Sequence, residues 1–277
     1  LAEVARALVA VGDAVRARAA LERAREVAEE IADEESKVRV LAEVAGAFVA
    51  VGDAPRARAV LERAREVAEG IADREEKAQA LAEVAGALVT AGDVESARAV
   101  CKRALSVAEE IVDEARKAQT LAEVAGALVA AGNVNRAHEV LARALDVAEE
   151  IAEERWLDKV QALLEVVDAL ATAGDVERAL KVAEGIADRE EKAWALVKVT
   201  DALAEAGGAP AKVLPLCHQV LRAAATLGRA ATWQCIGALV PLFARVGRAT
   251  LWETYERLER VEQLLHGASP QPGTGAP

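Results

Sequence analysis

Apolar residues recur along the chain at spacings of three and four, the pattern of helices that bury one face. The stretch from Val60 to Ile71 shows it, with apolar side chains at Leu61, Ala64, Val67, Ala68 and Ile71. Alternation with a period of two, which strands would show, is rare. Hydrophobic residues make up 53% of the chain and aromatic residues 3%, so the buried faces consist mainly of Ala, Val and Leu. The pattern predicts an all-α protein.

The helical pattern itself repeats about every 40 residues. Residues 1–40 and 41–80 differ at ten of forty positions, and further copies follow at 81–120, 121–162, 163–195, 196–235 and 236–265. A two-helix unit cannot bury its apolar face alone and must stack on its neighbours. The sequence therefore predicts a right-handed superhelical solenoid of about seven antiparallel helix–turn–helix repeats over residues 1–265, with a concave groove lined by the first helices. Residues 266–277, rich in Pro and Gly, are predicted to be a disordered tail.

Helix ends are marked in each copy. Glycine accepts the left-handed backbone that terminates a helix, and it follows each first helix at Gly12, Gly52, Gly92, Gly132, Gly174 and Gly207. The next residue is predicted to cap the second helix, at Asp13, Asp53, Asp93, Asn133 and Asp175. A second set, Asp33, Asp73, Asp113 and Asp188, is predicted to cap the first helix of the next unit.

The fifth copy, residues 163–195, is seven residues shorter than the 40-residue copies. It aligns with residues 41–80 when seven residues are removed from the second helix. Seven residues are close to two helical turns, so the apolar face keeps its direction. A deletion in a strand or a loop would have no reason to have this length, and the helical prediction is strengthened.

Within each unit, the residue types at equivalent positions (slots) of the repeat resemble those of tetratricopeptide repeats. A large apolar residue, a small one and another large one precede the Gly-Asp turn, and small residues lie inside the second helix; the copy at 41–80 has Val44, Ala45, Phe48, Gly52, Asp53, Ala57, Leu61 and Ala64 in these slots. The resemblance covers residues 1–265. The 40-residue length is closer to the repeats of kinesin light chains and to the sensor arms of bacterial STAND-class NTPases. The family's proline at the end of the second helix is absent, so a HEAT-type superhelix remains an alternative.

The resemblance implies a protein- or peptide-binding module, the sensor or scaffold part of a larger bacterial signalling or defence protein. Absence of Met, and a helical pattern already running at Leu1, also lead us to expect a fragment. The alternatives are a structural spacer or oligomerisation arm and, more remotely, an enzyme. Leu251–Leu265 is predicted to be a terminal capping helix, or else a dimer contact through which the chain could form a homo-oligomer. Pro215 and Pro241 are predicted to kink or restart their helices.

Charge narrows the choice of partner. A net charge of −12 and a pI of about 5.0 repel nucleic acid and anionic lipid, so neither is expected to bind. No apolar run is long enough to span a membrane. Three cysteines without a CxxC spacing predict a reduced, cytoplasmic compartment. Cys101 occupies a slot that holds leucine in other copies, at Leu21, Leu61 and Leu141, and is expected to be buried.

Catalytic, metal-binding and cofactor-binding motifs find no support. The chain has no Gly-rich phosphate loop, no GxSxG and no HExxH. His138, His218 and His266 fall in separate units without ligand spacing. Cys217 and His218 are neighbours, but adjacent helical side chains point about 100° apart. We expect no catalytic residue, no metal and no cofactor.

One polar stripe stands out on the first helices. Glutamates recur at Glu3, Glu43, Glu83, Glu123 and Glu165; four residues earlier lie Arg39, Gln79, Gln119 and Gln161, and three residues later lie Gly46, Gly86, Gly126 and Asp168. Trp194 occupies the glutamine slot of the sixth copy. If the units stack as tetratricopeptide repeats do, the stripe lines the groove and would bind a basic or amide-rich segment. The alternative is a glutamate ladder neutralised by arginines of adjacent second helices, such as Arg56 or Arg98. A ladder of lysines, Lys37, Lys77, Lys117, Lys159 and Lys192, is expected on a rim as solvated support.

Overall fold

The computed structural model describes residues 13–205 and 210–225, together with residues 227, 235 and 237–239. All regular structure in these residues is helical, which confirms the predicted class. The first compact unit of the chain ends at Asp175 and contains α1 Ala14–Glu29, α2 Glu34–Ala50, α3 Ala54–Gly70, α4 Arg74–Thr90, α5 Val94–Ala108, α6 Glu114–Ala130, α7 Val134–Glu150, a 3₁₀ turn Glu153–Arg155 and α8 Trp156–Thr172. The second unit begins at Val176 and contains α9 Val176–Gly185, α10 Arg189–Glu205 and α11 Pro210–Ala225.

Helices of the first unit alternate between two layers. The first helices, α2, α4, α6 and α8, pack against one another in succession. Each second helix, α3, α5 or α7, packs against the first helix before it and the first helix after it. In the second unit, α10 packs against both α9 and α11. These contacts are those of stacked helix–turn–helix units, as the 40-residue period predicts.

Each first helix ends in a glycine turn where the structure describes it. Gly52, Gly92, Gly132 and Gly174 have positive φ angles of 76°, 79°, 71° and 84°. The residue after the glycine donates its N–H back to the helix; in the second copy the nitrogen of Asp53 lies 2.9 Å from the carbonyl oxygen of Phe48. This bond satisfies a carbonyl that the helix would leave without a partner. Gly12 and Gly207 lie outside the described residues.

Seven of the predicted capping aspartates accept a hydrogen bond at a helix start, whereas the predicted capping asparagine does not. The side chains of Asp13, Asp53 and Asp93 accept from backbone nitrogens three residues later, at 3.0, 3.3 and 3.1 Å. In the second set, Asp33, Asp73, Asp113 and Asp188 do the same. The prediction for Asn133 was wrong, because its side chain makes no cap hydrogen bond. Its backbone (φ −101°, ψ 58°) matches that of Asp53 (φ −102°, ψ 64°), so the difference lies in the side chain.

Small and medium apolar residues fill the core, as the composition requires. Leu21, Leu61, Cys101 and Leu141 share one slot and are all fully buried. The burial of Cys101 is therefore confirmed, and loss of water contact raises the pKa of its thiol to about 11. Cys217 is also buried and has its pKa raised to about 11 by the same cause. Both thiols are packing groups.

The shortened copy has the predicted effect on helix length. Helix α9 has 10 residues whereas α3 has 17, and Ala179 and Ala183 of α9 are fully buried on one face. Helix α11 continues through Pro215 and does not restart there, while the predicted kink stays a prediction. Pro215 removes one hydrogen bond close to the start of the helix, and the later turns keep theirs. Pro241, the Leu251–Leu265 helix and the 266–277 tail lie outside the described residues.

Candidate binding groove on the first helices

A cavity of about 620 Å³ opens on the layer of first helices in the first unit. It is lined by side chains and backbone of α2, α4 and α6, namely Glu35, Arg39, Gln79, Ala80, Ala82, Glu83, Gly86, Glu123, Gly126, Ala127 and Ala130. Six of these residues belong to the stripe singled out in the sequence, namely Arg39, Gln79, Glu83, Gly86, Glu123 and Gly126. The structure thus brings the middle of the stripe together around one groove.

Other residues of the stripe lie outside this cavity. Glu43 is exposed on α2, and Gln119 is half-buried on α6. Helix α8 carries the same slots one unit further on, with Gln161 exposed and Glu165 and Asp168 half-buried. Trp194 lies on α10 of the second unit, where it is half-buried, and is not among the residues that line the cavity.

The glutamates of the stripe have no cationic partner among the described residues. No Lys or Arg nitrogen found there lies within 4 Å of a carboxylate oxygen of Glu43, Glu83, Glu123 or Glu165. Arginines proposed as partners are engaged elsewhere. Arg56 binds Glu22 at 2.7 Å and also Asp53, while Arg98 binds Glu95 at 3.1 Å and the carbonyl oxygen of Ala131 at 3.4 Å. Neutralisation by second-helix arginines is therefore not what the structure shows.

Arg39 is the cation among the residues lining the cavity. It lies four residues before Glu43 on α2. Its guanidinium binds Glu35, one turn earlier than Arg39 itself, with 2.7 Å between Nη2 and Oε1. Its charge acts on Glu83 from a longer distance and partly opposes the rise in that residue's pKa. One arginine thus faces three carboxylates, those of Glu35, Glu83 and Glu123.

A single hydrogen bond crosses the cavity between units. The amide of Gln79 on α4 donates to Glu123 on α6, with 3.3 Å between Nε2 and Oε1. Near it, Arg116 binds Glu75 at 2.7 Å. The amide is neutral, so it orients the carboxylate of Glu123 without removing its charge.

Burial and mutual repulsion disfavour the ionised carboxylates in the groove. Loss of water contact is the main cause that raises the pKa of Glu83, and the charges of Glu35 and Glu43 add to it. Glu123 keeps an exposed side chain, yet the protein packed around its carboxylate raises its pKa to about 7, although the hydrogen bond from Gln79 acts in the opposite direction. The charges of Glu165, Glu75 and Glu35 add to the rise. A cation bound here would reverse these effects, since it favours the charged form.

Glycines form the open floor of the groove. A Cβ added at Gly46, Gly86 or Gly126 would meet no atom within 4 Å. These glycines lie inside helices, where glycine is unfavourable relative to alanine by about 0.5–1 kcal/mol. No neighbouring side chain occupies the space of a Cβ at these positions, and Gly86 and Gly126 line the cavity.

The lysine ladder has a structural role at three positions. Lys117 binds the backbone carbonyl of Glu109, at 2.6 Å, and its side chain is mostly covered. Lys159 binds the carbonyls of Glu149 and Ile151 at 3.1 and 3.2 Å, and Lys77 lies 3.9 Å from the carboxylate of Glu69. A cation at these helix C-termini compensates the helix dipole. The expectation of solvated support was therefore incomplete, since these lysines tie consecutive helices together.

A second surface feature consists of exposed apolar side chains that the sequence analysis did not single out. Val112, Trp156 and Leu157 are large apolar residues exposed to solvent, and they adjoin the first turns of α6 and α8. The sequence indicates this feature, because the other copies hold alanine or charged residues at the positions equivalent to Val112, Trp156 and Leu157.

Among the described residues, no group of three or more His, Cys, Asp or Glu side chains is arranged to hold a metal ion. None of the helices seen there combines the length and apolar character that a bilayer crossing requires.

Comparison with solved structures identifies the same fold elsewhere. The Ton1535 protein of Thermococcus onnurineus NA1 superposes with a TM-score of 0.57 at 21% identity, over 87% of this chain and 75% of that chain. Kinesin light chain-like repeats of Podosopora anserina, described as nearly identical and TPR-like, match with a TM-score of 0.43 at 18% identity, over 71% of this chain and 99% of that chain. A STAND-class signal-transduction ATPase with a tetratricopeptide repeat sensor from Pyrococcus horikoshii matches with a TM-score of 0.41 at 18% identity, over 96% of this chain and 41% of that chain.

The stacked helix–turn–helix units and their glycine turns are those of a tetratricopeptide-like helical repeat, as the residues of each unit predict, and the Ton1535 protein shares this fold. No protein-family model matches the chain, and comparison with curated proteins finds no match either.

Proposed function

We propose that this chain is a protein- or peptide-binding module and that its groove on α2, α4 and α6 takes a basic segment of the partner. The observation that carries the proposal is the pair Glu83 and Glu123. Both line the cavity, and neither is neutralised by a cation among the described residues. Carboxylates held in this way gain from a cation supplied by a partner.

Other features of the groove support the same partner. Gln79 supplies an amide group that both donates and accepts hydrogen bonds, which suits a peptide backbone or polar side chains, and Gln119 of the same stripe offers another beside the cavity. The open floor at Gly86 and Gly126 leaves space for that backbone. The net charge of −12 steers a basic segment towards the chain and repels nucleic acid.

We further infer that the module is the sensor or scaffold part of a larger bacterial signalling or defence protein in the cytoplasm, and that it is not itself an enzyme. A stacked-repeat fold supports this inference because it offers an extended surface with no built-in chemistry. Homo-oligomer formation through the Leu251–Leu265 helix remains a proposal about residues outside the described ones.

The proposal is tested by exchanging Glu83, Glu123 and Glu165 together for Gln. The probe is a fluorescein-labelled peptide of alternating Lys and Ser, about twelve residues long, which is enough to cross three helices that pack about 8–10 Å apart. Anisotropy titrations at pH 8 and low salt should show a loss of affinity of about tenfold or more. The helical circular dichroism spectrum should not change, because Gln keeps the shape and helix propensity of Glu.

A matched control removes the same number of charges from second helices, by exchanging Glu62, Glu66 and Glu149 for Gln. These residues are exposed and make no ion pair to another unit among those observed. Glu69 and Glu109 would be poor controls, because they bind Arg103 and Lys117. Equal loss in both triple variants would reject the groove, and so would full binding by the groove variant. Either result would favour a structural spacer with a generally acidic surface.

A further inference from the structure

Three large apolar side chains are exposed on two segments of the first unit that the ion pairs of Arg155 join. The exposed fractions are 88% for Val112, 48% for Trp156 and 61% for Leu157. Val112 lies just before α6, and Trp156 and Leu157 form the start of α8, which packs against α6. We refer to Val112, Trp156 and Leu157 as the apolar rim patch.

The patch is a departure from the repeat and not part of it. The slot of Val112 holds alanine in the other copies, at Ala32, Ala72, Ala152 and Ala187. The slot of Trp156 holds Glu34, Arg74, Glu114 and Arg189, and the slot of Leu157 holds Glu35, Glu75, Ala115 and Glu190. Neither the core nor the stacking of units requires bulky apolar residues there. Exposed aromatic and apolar residues grouped in this way are typical of contact surfaces.

Arg155 fixes the two segments that carry the patch. Its guanidinium binds Asp113 at 2.9 Å, Glu114 at 3.5 Å and Asp158 at 2.8 Å. Asp113 is the neighbour of Val112, and Arg155 is the neighbour of Trp156. The ion pairs therefore hold the patch in place before any partner arrives, and three carboxylates around one guanidinium leave its surroundings acidic.

The register connects the patch with the acidic groove. Leu157 has the same place in α8 that Glu35, a residue lining the cavity, has in α2. On α8 it precedes Gln161 and Glu165 by one and two turns, so Leu157 is the patch residue that continues the α8 end of the polar stripe. A segment that follows the stripe across α4 and α6 would reach the patch at its end.

We propose that the apolar rim patch seats a bulky apolar side chain of the same basic segment that the groove binds. This inference rests on the proposed function and gives the partner a second chemical requirement. Charge complementarity selects the occupant: the carboxylates of Asp113, Glu114 and Asp158 around the patch, and those of the groove, favour a cationic segment around the apolar side chain. The patch provides the apolar contact that lysines alone do not use.

The experiment compares three labelled peptides of alternating Lys and Ser, one unmodified and two with a Leu at either end. Wild-type protein should bind one Leu peptide about tenfold more tightly than the unmodified peptide, as expected for an aromatic contact. Leu157→Ser and Trp156→Ala should remove this difference and leave binding of the unmodified peptide unchanged. Val15→Ser is the matched control, since Val15 is 76% exposed on α1, and it should keep the difference.

Equal binding of all three peptides by the wild-type protein would overturn the inference while leaving the groove intact. Loss of the difference in Val15→Ser would overturn it too, because the contact would then be nonspecific. Analytical ultracentrifugation of the wild-type protein and Trp156→Ala provides a separate readout. If the wild type self-associates through Trp156, the occupant is a second copy and the inference is wrong. If no peptide binds even the wild type, the proposed function itself fails.

Discussion

The side-chain amide of Gln79 donates a hydrogen bond to the carboxylate of Glu123 across two neighbouring first helices. Second helices join differently, through charged pairs such as Arg63 with Glu29 at 2.9 Å and Arg103 with Glu69 at 3.1 Å. The two layers therefore differ in electrostatics although they belong to the same repeat. Glu29 and Glu69 of the second helices are thus paired across units, whereas Glu83 and Glu123 of the first helices have no cation within 4 Å among the described residues. This difference is the basis on which we propose the first helices as the binding face.

Folding stability and peptide affinity should change in opposite directions with pH because of Glu123. Its pKa is raised to about 7 in the folded protein, against a usual value of 4.5. The folded state then holds a proton that the unfolded state releases between these pH values. The contribution of Glu123 to stability is therefore complete below about pH 4.5 and is lost as pH rises through about 7. Glu123→Gln should melt at a higher temperature than the wild type at pH 8 and at nearly the same temperature at pH 5.

The groups around Glu123 set the size of this effect. Gln79, Glu75 and Glu83 approach from α4, Glu165 from α8, and Glu35 from α2. Affinity for the basic peptide should fall as pH drops from 8 to 6, since protonation removes the attracting charge. Thermal melts and anisotropy titrations of the same samples measure both trends. If the wild type and Glu123→Gln differ equally at both pH values, Glu123 does not titrate as the geometry indicates.

Replacing Gly86 or Gly92 of the same copy by alanine should change the stability of the protein in opposite directions. Gly86 lies inside α4 beneath open space, so Gly86→Ala should stabilise the protein by about 0.5–1 kcal/mol. Gly92 has a φ of +79°, and Gly92→Ala should destabilise it by about 1–2 kcal/mol. Urea unfolding curves measure both. If the groove floor admits a backbone, Gly86→Ala should also weaken peptide binding despite the gain in stability. A stabilised variant with unchanged affinity would show that the floor is not used.

Lys117 should contribute to stability more than its place on a rim suggests. Its ammonium binds the carbonyl oxygen of Glu109 at 2.6 Å and the carboxylate of the same residue at 3.1 Å. Lys117→Met keeps the apolar stem and removes these bonds, so the free energy of unfolding should fall by about 1 kcal/mol. Lys102→Met, at an exposed position of α5, should have almost no effect. Urea unfolding that shows equal effects for the two variants would contradict the structural role.

Local signals in the sequence were sufficient to predict the fold. The Gly52 turn, the Asp53 cap and the buried Leu61 slot depend on neighbours within one or two helical turns, and each is found as expected. The seven-residue difference between α3 and α9 follows from the same periodicity. Asn133 was predicted incorrectly because a capping residue type does not guarantee that its side chain takes the capping position.

The site was harder to predict because it depends on choices among several partners. The stripe of Glu83 and Glu123 could be placed from helical register, but the sequence could not show that Arg39 would bind Glu35 and not Glu43. Nor could it show that Lys117 would turn back to the carbonyl of Glu109. Long side chains with several rotatable bonds can reach more than one partner, including partners on other helices. Only the packed structure shows which partner is bound. The sequence shows the apolar rim patch as a departure from the repeat at Trp156, but the exposure of its side chains follows only from the structure.

Arg39 allows a test in which binding should improve. A loss of binding can follow from local damage, whereas a gain is difficult to explain unless the altered residue faces the ligand. Arg39→Gln gives α2 the residue that α4 and α6 already have in that slot, and it removes the cation that lines the cavity. The variant loses an exposed pair with Glu35, so its stability should fall by no more than about 0.5 kcal/mol. Affinity for the basic peptide should rise by about two- to fivefold at low ionic strength, which is the effect expected of one exposed charge. The gain should disappear near 1 M salt, where charges separated by more than about 3 Å are screened.

Arg58→Gln is the matched control, because Arg58 is exposed on second helix α3 and its exchange changes the net charge equally. Equal gains in both variants would assign the effect to net charge alone, and weaker binding by Arg39→Gln would mean that Arg39 itself contacts the ligand.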